Sequence, residues 1–229
     1  SSYKSCRGKM KKKLIAEFSG TAMLLISVVG SGIMGENLAN GNTAIALLAN
    51  AIATGCMLYC IITIFGPISG AHFNPVVSVA FCIRREISVF CAVLYIIMQI
   101  SGGIIGVWIT HLMFDQTILQ ISQTSRSGIN LWCSEVFATF GLILVIFGSL
   151  FHSPKVIPAI VGIYISGAYW FTSSTSFANP AVSIARALSD TFAGISPMHA
   201  PTFILSQFIG LFLSMVLIHF LFSEPNKKT

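Results

Sequence analysis

What the sequence most lacks is charge. Only 9% of its 229 residues are Asp, Glu, Lys or Arg, against roughly 25% in a soluble domain. Seven residues are acidic. Neither a coupling-ion carboxylate array nor a Gly-rich phosphate loop is visible, which argues against active transport. The six cysteines contain no Cys-x-x-Cys pair. Cys56 and Cys60 stand one helical turn apart, and all but Cys6 fall in or beside apolar stretches. They read as small buried hydrophobes and indicate neither a disulfide framework nor a zinc site. No metal or cofactor is expected.

What is present is apolar: 55% of residues are hydrophobic and mean hydropathy is +0.84. The length allows about six spans of ~20 residues and leaves no room for a separate soluble catalytic domain. The expected spans run from Leu14 to Ile33, Thr43 to Ile64, Ser88 to Phe114, Leu131 to Phe151, Val156 to Thr172 and Pro201 to Phe222. Gly35 to Asn42 reads as a polar loop, and Gly66-Pro67 as a break at the end of the second span. The net charge of +6 is concentrated at the ends. Lys4, Arg7, Lys9, Lys11, Lys12 and Lys13 precede the first apolar run, and Lys227 and Lys228 close the chain. Beside a membrane span this cluster is a topology signal and not a nucleic-acid tail. That first run is too long to be a cleaved signal peptide.

Two short stretches interrupt this pattern, one in each half. They are Ser69-Gly70-Ala71-His72-Phe73-Asn74-Pro75-Val76-Val77-Ser78 and Ser176-Phe177-Ala178-Asn179-Pro180-Ala181-Val182-Ser183. Proline fits the first turn of a helix, and the Asn before it can cap that helix. The apolar runs that follow, Pro75 to Ile83 and Pro180 to Leu188, are too short to span. They predict re-entrant half-helices, tolerated only where buried in protein or lining a cavity. Entering from opposite faces, they would bring two Asn amides and two positive dipole ends to one point.

The halves also match elsewhere. Ala16-Glu17-Phe18-Ser19-Gly20-Thr21 is similar to Ser134-Glu135-Val136-Phe137-Ala138-Thr139. Each acid-bearing span is followed by a second span and an Asn-Pro half-helix, so the expected fold is an all-α membrane protein built as an inverted 3+3 repeat. The expected organisation is one channel domain over residues 1–229. It has a basic cytosolic tail at 1–13, a first repeat at 14–114, a second at 131–222 and a short cytosolic tail at 223–229. Counting Lys and Arg by loop puts Arg84, Arg85 and Lys155 with both termini inside, and Arg126 and Arg186 outside.

The two Asn-Pro stretches, the Ser-Gly-Ala-His before the first, and the acids in spans one and four resemble the aquaporins, or major intrinsic proteins. The resemblance covers nearly the whole chain. It implies six tilted helices plus two half-helices, a pore through each protomer, and a homotetramer. It also implies pore motifs at Asn74, Pro75 and Val76 and at Asn179, Pro180 and Ala181, with both Asn side chains donating to the passing solute. By position relative to these Asn residues, it places a selectivity filter at Thr54, Gly167, Ser176 and Val182. Family members usually carry Arg at the last of these places and an aromatic at the first. This sequence has neither. Four small residues imply a wide, weakly polar opening that suits glycerol, urea, neutral metalloid hydroxides, methylated arsenicals and water.

Other candidates have competing explanations. Arg186, one turn beyond Val182, is either a displaced filter charge in the outer vestibule or a snorkelling or subunit-contact arginine. His72 either lines the inner vestibule or packs beneath the half-helix. Glu17 and Glu135 could form a carboxylate pair for catalysis. No nucleophile, His partner or metal motif accompanies them, so they are expected to accept hydrogen bonds from the irregular loops. Tyr169, Trp170 and Phe171 are expected in a packing or interfacial belt, and His111, His152 and His199 at the interface. The expected function is passive conduction of small neutral solutes and not enzymatic. A water-selective pore, an ion- or proton-leaky pore and a closed structural protein remain as alternatives. Short tails and the lack of targeting signals point to a bacterial plasma membrane.

Overall fold

The computed structural model describes the backbone of residues 2–222 and the side chains of residues 9–222. Eight α-helices form among them: α1 (Ser2–Leu38), α2 (Thr43–Ser69), α3 (Pro75–Ile83), α4 (Val89–Met113), α5 (Ile129–His152), α6 (Ile157–Phe171), α7 (Pro180–Arg186) and α8 (Ala200–Phe222). Their starts follow local chemistry. Asn42 caps α2 by accepting from the N–H groups of Ala44 and Ile45, and Ser88 caps α4 through Cys91. Asn74 and Asn179 cap α3 and α7, each followed by Pro at the first helical position.

The first half-helix covers the expected Pro75–Ile83, and the second stops at Arg186, two residues early. Three expectations about the spans need correction. The polar loop after the first span is short, because α1 continues through Gly35 to Leu38 with Glu36 exposed. Gly66-Pro67 does not break α2. Proline forfeits one N–H and crowds the preceding turn, but Pro67 lies in the last turn, and the helix ends only at Gly70 (φ 90°), whose N–H reaches Gly66 O at 2.9 Å. Five helices are long and apolar enough to cross a membrane: α1, α2, α4, α5 and α8. α6 is not, because Pro154 holds the chain in a 3₁₀ turn (Pro154–Val156) and the helix proper has 15 residues. At 1.5 Å per residue it is about 22 Å long, below the ~30 Å of a bilayer core. Lys227 and Lys228 lie outside the described residues.

The two halves pack alike. α1 lies on α2 and α4, and α5 on α6 and α8; α2 and α6 join the halves, and α3 and α7 fill the middle against α4 and α8. Glycine sets the closest approaches. A Cβ at Gly102 of α4 would run into the Phe18 carbonyl of α1, and one at Gly210 of α8 into the equivalent Val136 carbonyl of α5. Outward faces are apolar, including Leu48 and Ile52 of α2, Val89 and Phe90 of α4, and Phe212 and Val216 of α8. An apolar exterior of this extent suits lipid. Cysteines share it: among the described side chains, Cys56, Cys60 and Cys133 are exposed, Cys82 is intermediate and only Cys91 is buried, while Cys6 lies outside them. The expectation that the cysteines are buried therefore fails for most of them, because their helices turn those positions outward.

The glycine contacts make a direct prediction. Gly102→Val and Gly210→Val should each lose about 1–3 kcal/mol by overpacking, read as a lower melting temperature of the detergent-solubilised protein. Gly66→Ala, where an added Cβ meets nothing within 4 Å, should leave the melt unchanged or raise it.

Candidate functional site: a chamber between two half-helices

The site begins with a backbone problem. The loops entering α3 and α7 place non-glycine residues in the left-handed region: Ala71 (φ 51°) and Phe73 (φ 51°) in one, Ser176 (φ 54°) and Ala178 (φ 48°) in the other. Such conformations are costly and persist only where the surroundings hold them. Here a buried carboxylate holds each loop. Glu17 Oε1 accepts from Ser69 Oγ (2.7 Å) and the His72 N–H (3.0 Å), and Oε2 from the Phe73 N–H (2.8 Å) and Gln99 Nε2 (2.9 Å). Glu135 does the same in the other half. Its Oε1 accepts from Ser174 Oγ (2.6 Å) and the Phe177 N–H (2.9 Å), and its Oε2 from the Ala178 N–H (2.9 Å) and Gln207 Nε2 (2.7 Å). Gln99 also donates to Ser78 Oγ and Gln207 to Ser183 Oγ, both at 2.9 Å, which ties each half-helix to the same clamp. Both acids are fully buried, and the arrangement contains no reacting partner for either.

The clamped loops cross-link each other. Asn74 Nδ2 donates to Ala178 O at 2.7 Å, and Asn179 Nδ2 donates to Phe73 O at 2.8 Å. Each amide oxygen meanwhile caps its own helix, Asn74 through Val76 N–H and Asn179 through the N–H groups of Ala181 and Val182. An amide nitrogen carries two donors, so each Asn keeps one N–H beyond this cross-link. Pro75, Val76, Pro180 and Ala181 are buried behind the junction.

A chamber of about 120 Å³ runs past both Asn residues. Its walls are mostly apolar, with Leu24, Val28, Leu58, Ile146, Val161 and Ile165 among them. Of the residues expected in a filter, Thr54, Ser176 and Val182 line it. Gly167 does not: it is exposed on the far side of α6, where a Cβ would meet only the Phe171 ring at 3.7 Å. The α6 face turned to the chamber carries Val161, Ile165 and Tyr169, at helical spacing. Tyr169 is therefore a wall residue and not part of an interfacial belt; its hydroxyl lies 3.2 Å from Thr54 Oγ1. Trp170 and Phe171 are exposed. Ser176 Oγ is buried with no hydrogen-bond partner among the described residues. Among those residues, the carbonyls of Ala71, His72, Ser176 and Phe177 also accept no hydrogen bond.

His72 both lines the chamber and packs: its ring stacks on Phe81 (4.6 Å, 18°), and Nδ1 lies 2.9 Å from Ser78 Oγ. Arg186 lines the chamber too. It is 2% exposed, with its guanidinium 3.5 Å above the Phe177 ring centroid and its Nε donating to Ala193 O. A snorkelling or subunit-contact arginine would be exposed, so that explanation fails. His111 is likewise buried and not interfacial, with Nδ1 2.8 Å from Ile118 O and Nε2 2.9 Å from Ser189 Oγ, joining the loop after α4 to the segment after α7. No cluster of His, Cys, Asp or Glu fit for a metal occurs among the described residues.

Sequence reasoning missed Gln99 and Gln207. Their signal was available: a Gln inside an otherwise apolar span, at matching places in the two halves. A buried amide in such a span requires a partner.

Half-helices that meet end to end around a chamber inside a lipid-facing helical bundle are the plan of a multi-pass membrane channel. Comparison with known proteins agrees. The Major intrinsic protein (MIP) family profile matches residues 4–173. The chain is 43% identical over 212 residues to aquaglyceroporin AqpS of Rhizobium meliloti (strain 1021), covering 93% of this chain and 91% of that protein. It is 28% identical over 225 residues to the probable aquaporin NIP4-2 of Arabidopsis thaliana, covering 93% and 75%. The crystal structure of the aquaglyceroporin from Plasmodium falciparum superimposes with a TM-score of 0.69, at 18% identity and covering 91% of this chain and 95% of that one. The chain belongs to the major intrinsic protein family; it is a channel and not an enzyme.

The clamps predict paired effects. In Glu17→Gln or Glu135→Gln an amide NH₂ must face donors that need an acceptor. Each should cost about 3 kcal/mol or more and reduce the folded yield, whereas Glu36→Gln, at an exposed position, should not. Thermal melts and recovery after size-exclusion chromatography check this. A large loss for only one of the two clamp variants would show that the halves do not depend on equivalent clamps.

Proposed function

We propose that the chamber is the permeation path of a passive channel for small neutral solutes. Glycerol is the leading solute, with water, urea, neutral metalloid hydroxides and methylated arsenicals in the same class. The observation that carries this is that Val182 lines the same chamber as Thr54 and Ser176, buried and uncharged. A fixed guanidinium at that point would narrow the passage and supply a strong donor set. Its absence, with a free Ser176 hydroxyl, suits solutes larger than water that can hydrogen-bond along one side. Tyr169, in the wall where the four-small-residue filter has Gly167, makes the opening narrower than that filter and adds a hydroxyl. The resemblance to a protein named aquaglyceroporin supports glycerol in particular.

The positive ends of α3 and α7 and the buried Arg186 oppose cations, which disfavours the ion-leaky alternative. The apolar walls let a neutral solute pass without holding it. Basic residues at the start of α1, in the loop after α3 (Arg84, Arg85) and before α6 (Lys155) fall on one side if the spans alternate. Both termini are then cytosolic. A homotetramer in a bacterial plasma membrane completes the proposal, on the strength of the family and of the bacterial relative.

Stopped-flow light scattering on proteoliposomes tests it. The unaltered protein should pass glycerol rapidly, and Val182→Arg should slow glycerol by about tenfold or more, equivalent to about 1.4 kcal/mol at the constriction. Glycerol flux unchanged in Val182→Arg would remove the filter from this position. Water flux without glycerol flux would favour the water-selective alternative.

A further inference from the structure

Two guanidinium groups share one aromatic ring at the outer end of the chamber. Arg186 Cζ stands 3.5 Å from the Phe177 ring centroid, and Arg126 Cζ stands 5.1 Å from the same centroid. Arg186 comes from α7, and Arg126 from the loop between α4 and α5. Both are anchored on the segment that follows α7. Arg186 Nε donates to Ala193 O, and Arg126 donates through Nε to Gly194 O (2.8 Å) and through Nη2 to Phe192 O (3.3 Å). The Nη groups of Arg186 donate no hydrogen bond among the described residues. Neither arginine has a carboxylate within salt-bridge distance there, where the only salt bridge is Arg84–Glu86 on the opposite face; the buried Glu135 acts on both from further away. Asp190, in the loop that follows α7, instead accepts from the Gln123 N–H at 2.9 Å.

Arg186 also borders a second pocket, which lies outside the chamber and has a volume of about 410 Å³. Arg126, Asn50, Thr43, Trp170 and Thr175 line it too. Asn50 Nδ2 is turned inward, donating to Val28 O (2.8 Å) and Ser31 Oγ (2.9 Å). The charged donors facing this pocket are thus the two arginines.

Two like charges held over one ring, with the single buried carboxylate of Glu135 acting on both from beyond contact distance, leave an excess positive charge that a counter-anion would relieve. Cation–π contact offsets part of the cost, yet it leaves the outward N–H groups unused. Guanidinium forks match the oxygens of a carboxylate or a tetrahedral oxyanion. We propose that Arg126 and Arg186 form a binding site for a small oxyanion at the outer mouth. Its occupant lies where the pocket joins the chamber and slows the passage of neutral solute. The second half of this statement rests on the chamber being the permeation path; the first does not.

Trp170 supplies the binding signal, because it borders the same pocket. Inorganic phosphate is titrated into the detergent-solubilised protein at constant ionic strength, with chloride as the balancing anion. The expected result is a saturable fluorescence change that is absent in Trp170→Phe. Half-saturation should move up about tenfold or more in Arg126→Gln, the loss expected for one charge-assisted contact, and much less in Arg126→Lys. In proteoliposomes with equal phosphate on both sides, glycerol flux should fall with phosphate for the unaltered protein and hold steady for Arg126→Gln. No saturable signal, or the same half-saturation in Arg126→Gln, would overturn the site. A signal with undiminished flux would overturn the obstruction. Arg126-dependent binding without any glycerol flux would uphold the site and sink the channel reading instead.

Discussion

Everything at the centre of this fold depends on a carboxylate accepting four hydrogen bonds out of contact with water. Glu17 and Glu135 each do so, and each set of donors includes two consecutive backbone N–H groups of a re-entrant loop. Those N–H groups lie at membrane depth, where an unpaired one costs several kcal/mol. The loops also contain left-handed non-glycine residues that would relax if released. One acid in each half therefore meets both requirements. The amide of Gln99 or Gln207 and the hydroxyl of Ser69 or Ser174 complete its coordination, so the buried charge is fully hydrogen-bonded.

The rest of the packing follows from where these clamps must sit. Gln99 reaches Glu17 only if α4 lies close to α1, and Gln207 reaches Glu135 only if α8 lies close to α5. Gly102 and Gly210, each one turn beyond its glutamine, permit that approach by leaving room for a facing carbonyl. With both loops fixed, Asn74 and Asn179 come within reach of the opposite loop and lock the half-helices tip to tip. The chamber exists because the tips meet there and the spans beside them present mostly Leu, Val and Ile, with Tyr169 of α6 as a larger group.

Much of this could be read in the residues alone. The repeated Asn-Pro, the short apolar runs after it and the acids at matching places in the two halves predict the half-helices and the inverted repeat. They do so because cap chemistry and bilayer thickness are local constraints. Side-chain direction was not legible. Counting back from Asn179 reaches Gly167, but α6 starts after a proline-bearing turn and its rotation puts Tyr169 on the chamber and Gly167 outside. Rotation also decides that Cys56 and Cys60 are exposed. Arg186 lies at the end of α7, where an exposed cation is the ordinary expectation. Its burial comes from Phe177 and from the Ala193 carbonyl, a partner in the following loop that no spacing announces. Pro67 reads as a breaker because its position within the last turn of α2 is known only once the helix end is seen.

On the proposed function, a chamber with apolar walls, a few acceptors and two amide donors would conduct by giving a neutral solute just enough hydrogen bonds to replace those it leaves in water. Ions would gain too little there, and cations would also face Arg186 and the positive ends of α3 and α7. Conduction of glycerol without current is the central claim. It is tested most directly by reconstituting one preparation of the unaltered protein both in vesicles and in a planar bilayer. Rapid glycerol-driven reswelling of the vesicles with no voltage-driven current across the bilayer is the predicted result. A steady cation or proton current, or vesicles no more permeable to glycerol than protein-free ones, would contradict it.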